Sequence, residues 1–347
     1  MTKSRPQKIR SFLLDRIPDH PKDIVSRVMQ EFNVTRPTIH QHLNKLIRDK
    51  QVLKTGRTFG AAYYLVSAFD KKLKFEIVPG LAEHQVWNDY FRPAFTVFPK
   101  NILEICEYGF GEIFNNAIDH SEGHEIEVDI RLKEDHIKIT IRDDGIGIFR
   151  KIKNAFNLAD ERDSVLQLSK GKLTTDKENH TGEGIFFTSR AMDNFYIFSF
   201  ELNYYRENSE EGDWCLADKE KPFPGTLVAM EINIHSTQTL VEVFKQFTTL
   251  DAEEIPKFNK TYIIVALAKQ GDERYVSRSQ AKRILSGLDK FSEVVLNFKN
   301  IETVGQGFVD EVFRVFQNRY PDIKITYINA NENATFMIER GLPTADE

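Results

Sequence analysis

Four short stretches in a fixed order constrain this chain more than its size or composition does. The first is GEIFNNAIDHS, residues 111–121, where Ile113, Phe114, Ala117 and Ile118 recur at the three- and four-residue spacing of a helix with one buried face. Glu112 and Asn116 stand four apart, so a carboxylate and an amide project one turn from each other. Taken alone, the pair fits the solvated side of an amphipathic helix. The second stretch, HEIEVDIRLKEDHIKITIRDDGIGI, predicts two alternating strands joined by a charged turn and ending in the D-x-G-x-G of Asp143, Gly145 and Gly147. A strand that ends at an aspartate followed by glycines lets a ligand approach the backbone closely beside one fixed carboxylate. In the third, NHTGEGIFFTSRAM, Gly182 and Gly184 precede an apolar helix. Backbone N–H groups at such a helix start, free of side chains, suit a phosphate. The fourth, PGTLVAMEINI, opens a strand on Gly225 and Thr226.

In this order the four stretches resemble the GHKL superfamily, which unites gyrase, the heat-shock chaperone ATPase, histidine kinases and mismatch-repair ATPases. The resemblance spans residues 100–236. It implies a Bergerat α/β sandwich, a mixed sheet covered on one face by helices, with ATP and Mg²⁺ as ligands. On that likeness Asn116 ligates Mg²⁺ bridging the ATP phosphates, and Glu112 is the catalytic group that polarises an attacking water. Asp143 accepts a hydrogen bond from the adenine amino group, Gly145 and Gly147 let the base sit close, and Thr226 supports it. Gly182 and Gly184 offer backbone donors to the phosphates. The chemistry is consistent with these roles: an amide oxygen suits a hard cation that keeps several waters, and a carboxylate one turn away takes a proton from water or a hydroxyl. The polar segment from about 150 to 181 is expected to be the ATP lid, with Lys170, Lys172 and His180 as phosphate contacts. Two features depart from the pattern. His180 stands where many members have glycine, and no following transducer domain supplies a phosphate-contacting lysine, so the likeness implies binding more firmly than fast hydrolysis. Asp119 and His120 fit either a supporting role at the site or a structural one.

The charge is unevenly placed. Residues 1–65 hold thirteen Lys/Arg against five Asp/Glu, while the whole chain carries a net charge of −5. A basic segment on an acidic body is a nucleic-acid footprint when its fold is suitable, and otherwise a solvated basic surface. QKIRSFLLDRI, KDIVSRVMQEF and RPTIHQHLNKLIRDK predict three helices, with Thr35 as N-cap and Pro37 in the first turn of the third. QVLKTGRTFGAAYYLV then predicts two strands around a glycine-containing tip. This plan resembles the winged-helix DNA-binding domains of bacterial regulators, here over residues 1–66. The likeness places the third helix in the major groove of duplex DNA, with Arg36, Thr38, His40, Gln41 and Lys45 facing outward and Arg57 on the wing. Ile39, Leu43, Leu46 and Ile47 form the expected core face. Winged helices also serve as protein-interaction modules. Residues 67–99 read as a connecting segment containing a strand and a helix.

From 258 to 347 the order is strand, helix, strand, helix, strand, helix, which predicts a small parallel α/β domain. SRSQAKRIL and GFVDEVFRVF resemble STAS-like domains that follow GHKL domains in bacterial regulators, which implies a protein partner there. The loop that carries a phosphorylated serine in anti-sigma antagonists of that class reads NIETVGQGF here, with Thr303 its only hydroxyl. Asp310 and Glu311 are expected to face solvent. Cys106 and Cys215 give neither a disulfide framework nor metal-ligand spacing, no run of about 18 apolar residues exists, and a reducing cytoplasm is the expected home. The reading that results is a multidomain α/β regulator, cytoplasmic, that binds and slowly hydrolyses ATP and couples nucleotide state to DNA binding. A serine/threonine protein kinase of the anti-sigma type is the alternative. Both a winged helix and a GHKL domain are compatible with a homodimer.

Overall fold

The computed structural model describes residues 4–56, 60–133, 135–173, 182–208, 212–217, 223–250, 255–269 and 275–342. Its first unit comprises α1 (Arg5–Arg16), α2 (Ile24–Phe32) and α3 (Arg36–Arg48), followed by an antiparallel hairpin of β1 (Val52–Thr55) and β2 (Ala62–Leu65). Asn33, with φ 48°, takes the left-handed conformation that ends α2. Thr35 is the N-cap residue of α3 with extended backbone, and its hydroxyl lies 3.0 Å from that of Thr38 instead of bonding a backbone N–H. Ile9, Leu13, Val28, Ile39, Leu43, Leu46 and Tyr63 form a core separate from that of the rest of the chain, with Ile47 partly buried beside it. Arg57 lies outside the described residues.

The segment 67–99 belongs structurally to the central domain. Its strand β3 (Lys71–Glu76) forms one edge of a seven-stranded sheet. Short helical turns from Glu83 to Phe95 bury Trp87, Phe91 and Phe95 against the next helix, the Trp87 and Phe110 rings lying 5.2 Å apart. That helix, α4 (Lys100–His120), buries Ile102, Ile105, Cys106, Phe110, Ile113, Phe114 and Ala117, a stripe at three- and four-residue spacing. Then come β4 (Glu125–Lys133), β5 (His136–Asp143), α5 (Ile148–Phe156), α6 (Glu161–Lys170), α7 (Gly184–Ala191), β6 (Asn194–Phe200), β7 (Leu202–Glu207), β8 (Gly212–Ala217), β9 (Phe223–Asn233) and α8 (Leu240–Phe247). The sheet order is β3-β4-β5-β9-β6-β7-β8.

Every neighbouring pair in this sheet is antiparallel, not mixed as expected. The cause is topological. Strands β5 and β6 run the same way and are joined by a helical crossover, but β9 slots between them antiparallel to both, so no parallel pair shares hydrogen bonds. Alternation sends Ile126, Val128, Ile130, Ile139 and Ile141 to the helix-covered face. Glu125 and Glu127 on the other face pair with Lys74 and Lys72 across strands. The segment expected to be a lid contains α5 and α6, both with buried apolar residues (Phe149, Ile152, Val165, Leu166), and its residues 174–181, including His180, lie outside the described residues.

The last unit has three parallel strands in sequential order, β10 (Lys260–Ile264), β11 (Glu293–Asn297) and β12 (Lys324–Ile328). Helix α9 (Arg278–Leu285), a helix over 306–319 that is π-wound at Asp310–Phe316, and α10 (Glu332–Gly341) alternate with them. Asp310 and Glu311 are only partly exposed: Asp310 pairs with Arg278 and Arg314, and Glu311 pairs with Arg278 at 3.7 Å. Among the described residues no helix is long and apolar enough to cross a membrane.

Candidate functional site

Helix α4 ends where the turn after β5 begins, and the two are fastened together. Ser121 O accepts from Ile146 N at 2.9 Å, and a Cβ on Gly145 would overlap that same carbonyl. Asp144 faces outward and accepts from His124 N (2.7 Å) and Glu125 N (3.0 Å), which secures the turn after α4. Asp143 faces inward and is 6% exposed. Register places it directly opposite Thr226 on β9. Its Oδ1 accepts from Gly145 N (2.9 Å) and Thr226 N (3.2 Å), while Thr226 Oγ1 accepts from Ile148 N (3.0 Å). Burial pushes the Asp143 carboxyl above its ordinary value, and the Gly145 and Thr226 backbone donors together with the Thr226 hydroxyl oppose that shift. Gly225 is required here: at φ 83° a side chain would be strained, and its Cβ would overlap the Asp143 carbonyl oxygen.

A cavity of about 140 Å³ opens between α4, the end of β5, α5 and the start of α7. Six of the expected residues line it: Glu112, Asn116, Asp143, Gly182, Gly184 and Thr226. Gly145 and Gly147 do not line it; they shape the turn behind it, Gly147 (φ 86°) lying tight against Ser199 and Phe200. Glu112 sits at the N-terminus of α7, close enough that a Cβ on Gly184 would overlap its carboxylate. Leu168 and Leu173 close one rim.

Sequence reasoning missed three groups. Lys151 lines the cavity from α5, its Nζ donating to His120 O (2.7 Å) and Glu122 Oε1 (3.1 Å). Its place one turn into the helix after D-x-G-x-G was the available signal. Tyr108 lies one turn before Glu112 on α4. Burial raises its phenol, the charges of Glu112 and Glu183 add to that, and its hydroxyl hydrogen-bonds Glu112. Glu183, between the two glycines, is raised by burial, with the Lys172 charge opposing. Of the groups read as supporting ones, His120 lines the cavity and Asp119 is exposed.

The other expected phosphate contacts face elsewhere. Lys170 is 2% exposed and donates to Arg283 O and Ser286 O, each at 2.9 Å, in the C-terminal unit. Lys172 donates to Asn259 Oδ1 (3.3 Å) and Lys290 O (2.8 Å). On the separate N-terminal unit, Arg36, Gln41 and Lys45 are exposed and Thr38 is half-buried. His40 is half-buried and meets Tyr63 OH at 3.5 Å, and burial holds its imidazole below the ordinary value.

Residues 87–206 match the family described as Histidine kinase-like ATPase domain. The chain carries a histidine kinase-like ATPase domain. Residues 280–335 match the STAS-like domain of unknown function (DUF4325). No curated protein matches the chain. The family match begins at Trp87, inside the segment expected to be a connection, which agrees with the burial of Trp87, Phe91 and Phe95 against α4. It ends before β9, so Thr226 joins the ATPase domain's cavity through strand pairing beyond the matched residues.

An adenine nucleotide with a divalent cation fits the donor set. A glycine-cleared helix start faces the cavity, a buried carboxylate stands at its other end, and an amide and a carboxylate lie between them. Among the described residues no group of three or more His, Cys, Asp or Glu could hold a metal unaided. A hard cation at Asn116 would therefore be held largely by phosphate oxygens and water, the usual coordination of Mg²⁺ at nucleotide sites.

Proposed function

We propose that this protein is an ATP-responsive DNA-binding regulator with slow, Mg²⁺-dependent ATP hydrolysis. Asp143 receives the adenine amino group, and the backbone at Gly182 and Gly184 receives the phosphates. Asn116 would hold Mg²⁺, which when bound would supply charge neutralisation to the phosphates. Glu112 takes the proton of the attacking water. Tyr108, hydrogen-bonded to Glu112, fixes the orientation of that carboxylate. The observation that carries this reading is the convergence of Glu112, Asn116, Asp143, Gly184 and Thr226 on one cavity from four separate stretches of sequence.

The three helices and hairpin at the N-terminus act as a winged helix, with Arg36, Gln41 and Lys45 presented to duplex DNA. Their exposure on α3 and the basic balance of residues 1–65 support this assignment. A direct test incubates γ-phosphate-labelled ATP and Mg²⁺ with the wild type and with Glu112→Ala, with and without duplex DNA, and counts free phosphate and protein-bound label. Free phosphate that disappears in the variant and changes with DNA is the expected result. Label transferred to protein would favour a serine/threonine kinase instead. An ATPase rate indifferent to Glu112 would overturn the assigned role of that carboxylate.

A further inference from the structure

The rim of the nucleotide cavity is stitched to the STAS-like unit. Residues 163–173 run from α6 to the described end of that segment, and they have two faces. One carries Leu168 and Leu173 to the cavity. The other is bound to the C-terminal unit along its length. Arg283 bridges Asp163 Oδ1 (3.3 Å) and Ala268 O (2.7 Å). Lys170 Nζ reaches Arg283 O, Ser286 O and Gln167 Oε1, and the Lys170 carbonyl accepts from the buried Thr261 hydroxyl at 2.7 Å. Lys172 and Lys290 each donate to the other's carbonyl, and Lys172 stands 4.8 Å from the centre of the Phe291 ring.

A second route joins the same two places. Phe186, which lines the cavity from α7, packs on Phe258 with ring centroids 4.6 Å apart, and Phe258 packs on Phe291 at 5.4 Å. Gly171 lies against both Phe186 and Phe258 with no room for a side chain. Arg190, also on α7, donates to Ser169 O at 3.3 Å.

The described rim of the cavity is therefore held in place by the seam. A cavity of about 140 Å³ is smaller than the roughly 300–1,000 Å³ of ordinary small-molecule sites. We infer that the STAS-like unit is a built-in inhibitor of the nucleotide site: the contact centred on Lys170 holds residues 168–173 against the cavity, and opening it admits the nucleotide. This rests on the ATP-binding reading above and adds the route by which the C-terminal unit controls it. Coupling is reciprocal, so bound nucleotide weakens the seam by the same factor that seam opening strengthens binding.

Lys170→Met keeps the length of the side chain and removes its donors. Thr261→Val removes the other buried bond from the opposite side of the seam. Stopped-flow binding of a fluorescent ATP analogue with Mg²⁺ would be measured in the full chain, alongside amide hydrogen exchange without nucleotide. Both variants are expected to bind the analogue about tenfold faster, as when the binding-competent population rises about tenfold. Both should also exchange faster at 163–173 and at 184–191. Wild-type binding rates in folded variants whose seam amides exchange faster would overturn the inference. Absence of nucleotide binding in the wild type and in both opened variants would refute the ATP reading instead. The exchange data would still decide the coupling: an opened seam with unchanged protection at 184–191 refutes it.

Discussion

Replacing Asp143 by asparagine separates the fold from the ligand. Asp143 Oδ1 accepts from two backbone N–H groups, Gly145 and Thr226, and an asparagine oxygen can take both. Stability should therefore change by less than about 1 kcal/mol, because both backbone N–H groups keep their acceptor and the Thr226 hydroxyl, which also bonds the carboxylate, can rotate to the retained oxygen. The second terminal atom changes from an acceptor to an NH₂ donor. Facing an adenine amino group, itself a donor, it loses a charge-assisted hydrogen bond of about 1.5–3 kcal/mol. That corresponds to roughly 10- to 150-fold weaker ATP binding. Guanine presents an acceptor where adenine presents the amino group, so GTP affinity should fall less than ATP affinity or rise. Asp143→Ala is the contrast. It strands two buried N–H groups and should destabilise the domain by about 2–5 kcal/mol. Isothermal titration calorimetry with ATP and GTP, beside denaturant unfolding of the same samples, reads both quantities. A folded Asp143→Asn protein that binds ATP within about twofold of wild type would refute the base-acceptor role and with it the orientation assigned to the nucleotide.

Gly225→Ala should lower stability by about 2–4 kcal/mol in denaturant melts, since it combines left-handed strain with overlap of the Asp143 carbonyl; a neutral effect would mean that the turn is not built as described. Arg36→Ala and Lys45→Ala should each flatten the slope of log affinity against log salt for duplex DNA by about 0.9 if each contacts one phosphate; fluorescence anisotropy at several salt concentrations checks this, and an unchanged slope removes α3 from the interface. Lys170, pushed down to about 7 by burial, binds fewer protons folded than unfolded between about pH 7 and the ordinary lysine value. Its contribution to stability is therefore flat below pH 7 and rises with pH above it, by about 2 kcal/mol from pH 7 to 8.5 at 1.36 kcal/mol per unit, and Lys170→Met should erase that rise in urea titrations. Chelating divalent cations should weaken ATP binding at least about tenfold by calorimetry, and equal affinity with and without Mg²⁺ would contradict a cation at Asn116.

The parts of the molecule legible in the sequence are those specified locally. Glu112 and Asn116 share a helix face because helical spacing requires it, and the glycines at 145, 147, 182 and 184 announce close approaches in the sequence, although the partners at three of them (Ser121, Ser199 with Phe200, and Glu112) are supplied by distant segments. The alternating strands and the strand–helix order of the C-terminal unit were readable for the same reason. What escaped depends on partners distant in sequence. The insertion of β9 between β5 and β6 leaves no local trace, and the mixed sheet was what the GHKL likeness implied rather than anything the strands themselves carry. Residues 71–76 read as a connecting strand because their partner in β4 lies about fifty positions further on. Lys170 and Lys172 look the same in sequence whether they meet phosphates or backbone carbonyls, and only the fold turns them to Arg283, Ser286 and Lys290. Lys151 had the opposite fate, an ordinary helix lysine that tertiary packing brings to the cavity.

These displaced lysines alter the electrostatics of the site. Glu112 and Asp143 line the cavity and Glu183 stands at its edge, whereas among the described residues Lys151 is the one Lys or Arg that lines it, already shared with His120 O and Glu122. A triphosphate entering such a place meets more negative than positive side-chain charge. Its charge must be met by the backbone donors at Gly182 and Gly184 and by a divalent cation, or by lysines released from the seam. Release of Lys172 from Lys290 would free a cation whose charge already acts on Glu183. Opening of the STAS-like contact would thus enlarge the cavity and also return to it positive charge that the closed seam directs away, so the steric and electrostatic parts of the switch act in the same direction.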